Sequence, residues 1–503
     1  MIAWLLVAPL LLPVTAAGVS FALPGRHAAR QLLGVAVLCG TLADAVALLV
    51  LAERDGPRAA TLGGWPAPLG ITLVADRLSA LLLSISLAAA LAVLVFCAGQ
   101  DRADPGRSAA TSSVPFVPAY LLLTAGVGLA FLAGDLFNLF VAFELMLTAS
   151  YVLITLGAGP TRVRAGMTYT LTGLASSLLF LTAVALCYAA AGTVNLADLA
   201  GRLGSVPTGV RATLSVLLLV VFGVKAAVVP LHFWLPDSYP TAPAPVTAIF
   251  AALLTKVGVY ALVRTQTLLF PREGEWPLLA IAAVATLLLG GLGALAQDDV
   301  NRLLSFLLVS HIGFLLFGLA LFDGPGLTGT VLYTIHHIAV QTGLFLAVGL
   351  VVRGAGTASL NRLAAAAPPP VPVALLFLLP ALSIAGLPPT SGFVAKLALL
   401  EAAAATRGAA AAVLVAAGLL ASLLTLYAML RVWRAVFGAG PRRPAPRPRR
   451  GEPLMLAATA AIVLVGIGVA AGAGELSALS ERAAHALLDR EGYRQAVLGG
   501  GPR

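Results

Sequence analysis

Three lysines occur among the 503 residues, Lys225, Lys256 and Lys396, and each sits inside an apolar run, as FGVKAAV, LLTKVGV and GFVAKLA. The cations of the loops are all arginine. The difference is chemical, because a desolvated lysine can give up its proton whereas a guanidinium effectively cannot. Lysines placed this way are suited to carrying protons. Snorkelling is the blander reading, but a side chain in the middle of a long apolar run reaches a headgroup poorly.

Glu144, in LFNLFVAFELMLTASYVLI, is read as the one acid deep in such a run. A lone carboxylate there costs about 2.5–3.5 kcal/mol, so it is expected to pair with a cation, and Lys225 is the candidate. Protons on such a pair are coupled, and a nearby charge changes which member holds one. His232, His311, His336 and His337 fall in apolar runs or beside a break, as VPLHFW, LVSHIGF and YTIHHIAVQ. A lone buried histidine is usually a satisfied core residue, yet four of them beside three lysines and a glutamate read as stations of a relay, since imidazole both accepts and donates. Metal binding by His336 and His337 is disfavoured, because neighbours on a helix point roughly 100° apart. Asp135 and Asp76 lie near the ends of apolar runs, where a solvated helix terminus and a functional role are equally open. Asp237 and Pro240, in LPDSYPTAPAPV, are expected only to shape a turn.

These residues need a scaffold, and composition says what kind. Hydrophobic residues make up 60% of the chain and charged residues 10%, a balance no soluble domain of this length carries at its surface. A polytopic, all-α membrane protein follows. A bilayer needs roughly 20 apolar residues per spanning helix, and the runs at 2–23, 31–52, 76–98, 115–133, 135–157, 168–191, 209–238, 243–268, 276–297, 300–322, 327–352, 371–404, 408–437 and 453–473 meet that need. The first lacks a basic leading segment and reads as a span rather than a cleaved signal. Arg26, Arg30, Arg162, Arg164, Arg353, Arg362 and the cluster Arg442, Arg443, Arg447, Arg449 and Arg450 follow odd-numbered spans. Those loops are expected inside and both termini outside. The same rule accounts for the +10 formal charge without nucleic acid. The Pro/Arg-rich stretch 440–453 reads as an orientation signal near anionic lipid. Cys39, Cys97 and Cys187 are too scattered for an iron–sulfur or zinc site, so no metal or organic cofactor is expected.

Two spans are broken. Pro230 and Pro236 interrupt the seventh after Lys225, and Gly386, Pro388 and Pro389 interrupt the twelfth before Lys396, each proline removing a backbone donor. Breaks five spans apart imply two five-helix repeats of opposite orientation, helices 4–8 and 9–13, an arrangement that places ion sites near the midplane. The expected units are 1–110 (helices 1–3), 111–270, 271–437, and 438–503 with the basic loop and the last span. After that span, Leu476, Leu479, Ala483 and Leu487 recur at helical spacing among charges, which predicts an interfacial helix.

The segment VKAAVVPLHFWLPDSYPTAPAPVTAIFAALLTKVGVYALVR resembles the signature of the proton-translocating antiporter-like family, shared by Mrp-type sodium/proton antiporter subunits and the large membrane subunits of respiratory complex I and membrane hydrogenases. The resemblance runs from about residue 60 to the C-terminus, through DLFNLFVAFELMLTASYVL, NRLLSFLLVSHIGFLLFGLAL and GLPPTSGFVAKLALL. GGWPAPLGI and YRQAVLG look most like D-type Mrp subunits. The resemblance implies fourteen helices with the seventh and twelfth broken, Glu144 and Lys225 as a coupled pair, and Lys256 as the central carrier. It further implies His311 and His336 or His337 as relay positions and Lys396 on the exit side. Gln341 stands where D-type subunits often have lysine, which puts the link between the two halves on water and histidine. The expected partners are other subunits of an Mrp-type complex in a bacterial plasma membrane, with protons and sodium as cargo. A proton-pumping subunit of a redox-driven complex and a non-conducting structural subunit are the alternatives.

Overall fold

The computed structural model describes residues 2–23, 25–103, 113–157, 159–270, 276–406, 408–438 and 451–499. Arg442, Arg443, Arg447, Arg449 and Arg450 lie outside the described residues.

Helices α1 (Ile2–Phe21) and α2 (His27–Asp55) lead into a small antiparallel hairpin, β1 (Arg58–Thr61) and β2 (Thr72–Ala75), followed by α3 (Arg77–Ala103). Next come α4 (Phe116–Leu132), α5 (Leu136–Thr155), α6 (Pro160–Ala191), the short α7 (Leu196–Arg202), α8 (Thr208–Ala226), α9 (Trp234–Ser238) and α10 (Ala244–Leu268). The order then recurs as α11 (Trp276–Leu295), α12 (Val300–Leu321), α13 (Gly324–Ala355), the short α14 (Leu360–Ala364), α15 (Val371–Ala385), α16 (Ser391–Thr406) and α17 (Ala409–Phe437). Helices α18 (Glu452–Ala471), α19 (Ala473–Leu488) and α20 (Arg490–Leu498) complete the chain. Among the described residues, 12 helices are long and apolar enough to cross a membrane, and α4 and α15 are shorter apolar helices. The chain is a multi-pass membrane protein. Among the described residues the hairpin is the one two-stranded sheet, and it lies between spans.

A joint occurs twice. Asp135 caps α5 by accepting from the Asn138 amide at 2.6 Å and pairs through its backbone with Asn195, whose side chain caps α7. Asp299 caps α12 by accepting from the Arg302 amide at 3.0 Å and pairs with Ser359, whose side chain caps α14. Asp135 is thus a helix cap, though a buried one rather than a solvated terminus.

Both broken spans end their first halves in the left-handed region, at Ala227 (φ 59°) and Gly386 (φ 88°). The carbonyls left over at each break are satisfied differently. The Trp234 indole donates to the Val224 carbonyl at 3.0 Å, whereas the Lys396 ammonium donates to the carbonyls of Ile384 and Ala385 at 2.9 and 3.0 Å.

The centre of the bundle is built from α10, α12 and α13. Every residue from Pro245 to Leu268 is buried, as is every residue from Gly329 to Val351. Two polar helices follow the last span where one was expected. On α19 Ser480, Ala483, Ala484 and Leu487 are buried, and Leu476 and Leu479 pack partly against the core. On α20, Arg490 donates to the carbonyls of Leu268 and Ala200 at 2.8 Å each. Tyr493 lays its ring 5.2 Å from the Arg264 guanidinium, which Tyr260 flanks on another side at 5.4 Å. Burial pushes the Tyr493 phenol well above its ordinary range, so it meets the cation as a neutral ring. Arg264 in turn pairs with buried Asp76 at 2.5 Å. Asp76, left open by the sequence, thus caps α3 through the Ser79 amide and neutralises a buried arginine.

Candidate functional site

The sequence-selected residues fall into two groups, one at each break. In the first, Glu144 on α5 and Lys225 on α8 do not touch directly. Ser177 on α6 lies between them: it donates to the Glu144 carboxylate and accepts from the Lys225 ammonium at 3.0 Å. The expected ion pair is therefore corrected to a serine-bridged one. The packing of α6 between α5 and α8 is the physical reason, since it puts a hydroxyl where the two side chains would otherwise meet. Lys225 also donates to the Gly173 carbonyl at 3.5 Å and stands 5.6 Å from the Phe143 ring. Lys225 is buried, whereas Glu144 is half-buried.

Beside Lys225 lies a cavity of about 20 Å³, lined by Tyr169, Thr172, Gly173, Ser176 and Trp234 among others. That is room for one water molecule. The hydroxyls of Ser176 and Tyr151 are buried without a partner among the described residues. Gly173 is required here, because a Cβ at that position would collide with the Tyr151 hydroxyl.

Lys256 occupies α10 two residues before Gly258, and Gly258 lets α10 press on the end of α8: a Cβ there would lie 2.6 Å from the Ala226 amide. The two lysine-bearing helices are thus in backbone contact. Lys256 is wholly buried, and its ammonium donates to the Ala251 carbonyl of its own helix. No acid pairs with it among the described residues.

The second group is denser. His311 on α12 bonds to the Tyr333 hydroxyl and, at 3.2 Å, to Thr425 on α17. Its ring stacks on His337 at 5.5 Å. His336 bonds to Ser391 at 2.9 Å, and Ser391 is 3.2 Å from Ser383 across the second break. Lys396 stands 4.8 Å over the Phe314 ring. His337 lies within Coulombic range of Lys256, His311, His336 and Lys396. Both of its ring nitrogens, Nε2 of His336, the Gln341 amide and the Thr255 hydroxyl have no partner among the described residues.

His232 does not join this cluster. It sits in the turn between α8 and α9, edge-on to Phe306 at 6.5 Å, because the chain has left the helix before reaching it. Asp237 lies in the short α9 and forms an exposed ion pair with Arg302 at 2.9 Å. No group of three or more potential metal ligands is present among the described residues.

Sequence reasoning missed Ser177, Tyr333, Ser391 and Thr425, hydroxyls that bridge the charged groups. The adjacent Ser176 and Ser177 inside a leucine-rich run were the available signal. It also missed Asp44 on α2, a second acid within a span, so Glu144 is not alone.

Residues 133–425 match the family described as NADH:quinone oxidoreductase/Mrp antiporter, transmembrane. The D-type subunit of the Na(+)/H(+) antiporter of Alkalihalophilus pseudofirmus is 36% identical over 86% of this chain and 87% of its own. Its counterpart in a probable K(+)/H(+) antiporter of Rhizobium meliloti is 38% identical over 79% of this chain and 78% of its own. Among solved structures, a chain of the Mrp complex from Dietzia sp. DQ12-45-1b superposes with a TM-score of 0.89 at 33% identity, covering 98% of this chain and 99% of that one. With the family model spanning more than half its length and D-type antiporter relatives covering most of it, this chain belongs to the NADH:quinone oxidoreductase/Mrp antiporter transmembrane family.

Proposed function

We propose that this chain is the proton-translocating, D-type subunit of a multi-subunit monovalent cation/proton antiporter, and that Glu144, Lys225, Lys256, His311, His336, His337 and Lys396 carry the proton. One observation supports this most: Lys256, Lys396, His311, His336 and His337 are all buried, His311 and His336 bond to the hydroxyls of Tyr333, Thr425 and Ser391, and several polar atoms beside them have no protein partner among the described residues. Each such atom left dry costs about 1–3 kcal/mol, so the reading has water threading between α10 and α13 from Thr255 to Gln341. Gln341 then holds water where a lysine would hold charge. His232 is assigned no role. Relatives are named for both sodium and potassium, so the cargo is proposed as a monovalent cation, with sodium first.

On this reading a proton leaving the Glu144–Ser177–Lys225 unit changes the field on Lys256 through the contact at Gly258. Lys256 then exchanges with His337 and His311, and Lys396 hands the proton on when it releases the carbonyls of Ile384 and Ala385. The two joints at Asp135 and Asp299 support the division into repeats at 111–270 and 271–437, flanked by 1–110 and 438–503.

The whole gene cluster, expressed in cells without their own antiporters, is expected to give sodium- or potassium-induced proton movement in everted vesicles. Absence of exchange in an assembled wild-type complex would transfer the chain to a redox-driven pump. Ser177→Ala keeps both charges and removes both hydrogen bonds of the bridge, each worth about 1.5 kcal/mol. The exchange rate is expected to fall at least about tenfold with assembly intact, and an unchanged rate would remove the serine from the path.

Both termini are proposed to lie outside, together with the hairpin, α7, α19 and α20. A cysteine replacing exposed Glu481, in a chain freed of Cys39, is expected to react with an impermeant maleimide in whole cells. Reaction only in everted vesicles would reverse the orientation.

A further inference from the structure

Helix α2 stands at the edge of the bundle with Leu32, Val46 and Val50 exposed, yet it carries Asp44 inside its apolar run TLADAVALLV. Its depth follows from its pairing with α3, which is pinned by Arg77–Glu53 at 2.8 Å near one end and Gln31–Asp101 at 2.6 Å near the other. Asp44 is as far along the chain from Glu53 as Glu144 is from the cap at Asp135, about 13 Å of helix in each case. A carboxylate at that depth is costly unless something answers it. Nothing among the described residues does: its Oδ2 is buried without a hydrogen-bond partner there, while the side chain as a whole is only half-buried. Beside it, Ala36, Cys39, Gly40 and Ala43 are exposed, and a Cβ at Gly40 would meet nothing within 4 Å. Small side chains on a membrane helix allow another backbone to come close.

We propose that this face of α2 seats a transmembrane helix of another subunit, which presents a lysine, arginine or histidine to Asp44. The small residues give the close approach, and the carboxylate selects a basic partner and fixes its depth. The inference rests on the chain being one member of a complex, but not on which ion that complex moves.

The test uses the assembled complex. Ala43→Cys keeps Asp44, and a short thiol-to-any-residue photocrosslinker there is expected to give an adduct with a different subunit, mapped by mass spectrometry to a span containing a basic residue. Asp44→Leu is expected to lower co-purification of that subunit roughly tenfold, and Asp44→Glu to restore most of it. A lipid-facing α2 predicts the opposite sign, since leucine suits lipid better than aspartate, and normal or improved recovery of the leucine variant overturns the proposal. So does an adduct with a second copy of this chain, or none. Because the readout is assembly, a wild-type complex that shows no cation exchange would count against the antiporter reading and leave this one standing.

Discussion

Lys256→Arg is expected to abolish exchange as completely as Lys256→Met, each lowering the rate by about 100-fold or more, the range seen when a positioned proton-transfer group is removed. The argument turns on surroundings. Lys256 is fully buried on a helix whose every residue from Pro245 onward is buried. Its ammonium meets a carbonyl of its own helix rather than an acid, so no permanent ion pair accounts for it. Arginine preserves the positive charge and could keep the bundle assembled, but it cannot release a proton. A role limited to fixed charge therefore predicts that arginine works and methionine fails. Dye dequenching in everted vesicles, normalised to complex recovered by affinity purification, separates these cases. Wild-type rates with arginine at this position would remove proton release at residue 256 from the mechanism.

Asp76→Ala is expected to destabilise the chain by about 3–5 kcal/mol, the range for stripping one partner from a buried ion pair. Arg264 would remain between Tyr260 and Tyr493 with its charge unanswered. The melting temperature in detergent should fall, and the C-terminal helices should become the first site of proteolysis, since α20 packs on that guanidinium. Adding Arg264→Met is expected to recover much of the loss, because an apolar side chain in the same slot leaves no orphaned charge. If Asp76→Ala melts like the wild type, the pair contributes nothing and α20 is held by its other contacts, among them Arg490 and Arg494, the latter donating to the Ala197 carbonyl at 3.3 Å.

The residues that broke a local rule were the legible ones. Lysine in the middle of an apolar run, paired histidines and prolines inside spans each conflict with the helix around them, and the structure buries Lys256, His311, His336, His337 and Lys396 and stacks His311 on His337. The many apolar helices and both breaks followed from the same contrasts. What stayed hidden was Ser177, which fits its helix and is unremarkable within α6 until α5 and α8 close on it. His232 lies close in sequence to Lys225, but the break places it in the turn beside Phe306, apart from the other histidines.

The helix that ends most completely enclosed is also one of the hardest to deliver. Helix α10 carries Lys256, Arg264 and Gln266, and two of the helices that shield it, α12 and α13, are synthesised only afterwards. Until they arrive Lys256 lacks part of its enclosure, while Arg264 already has Asp76 but not the Tyr493 ring of α20. Stable insertion of this span is therefore expected to depend on the later helices, and a chain truncated after residue 270 should stall at the insertion machinery and be cleared by quality-control proteases.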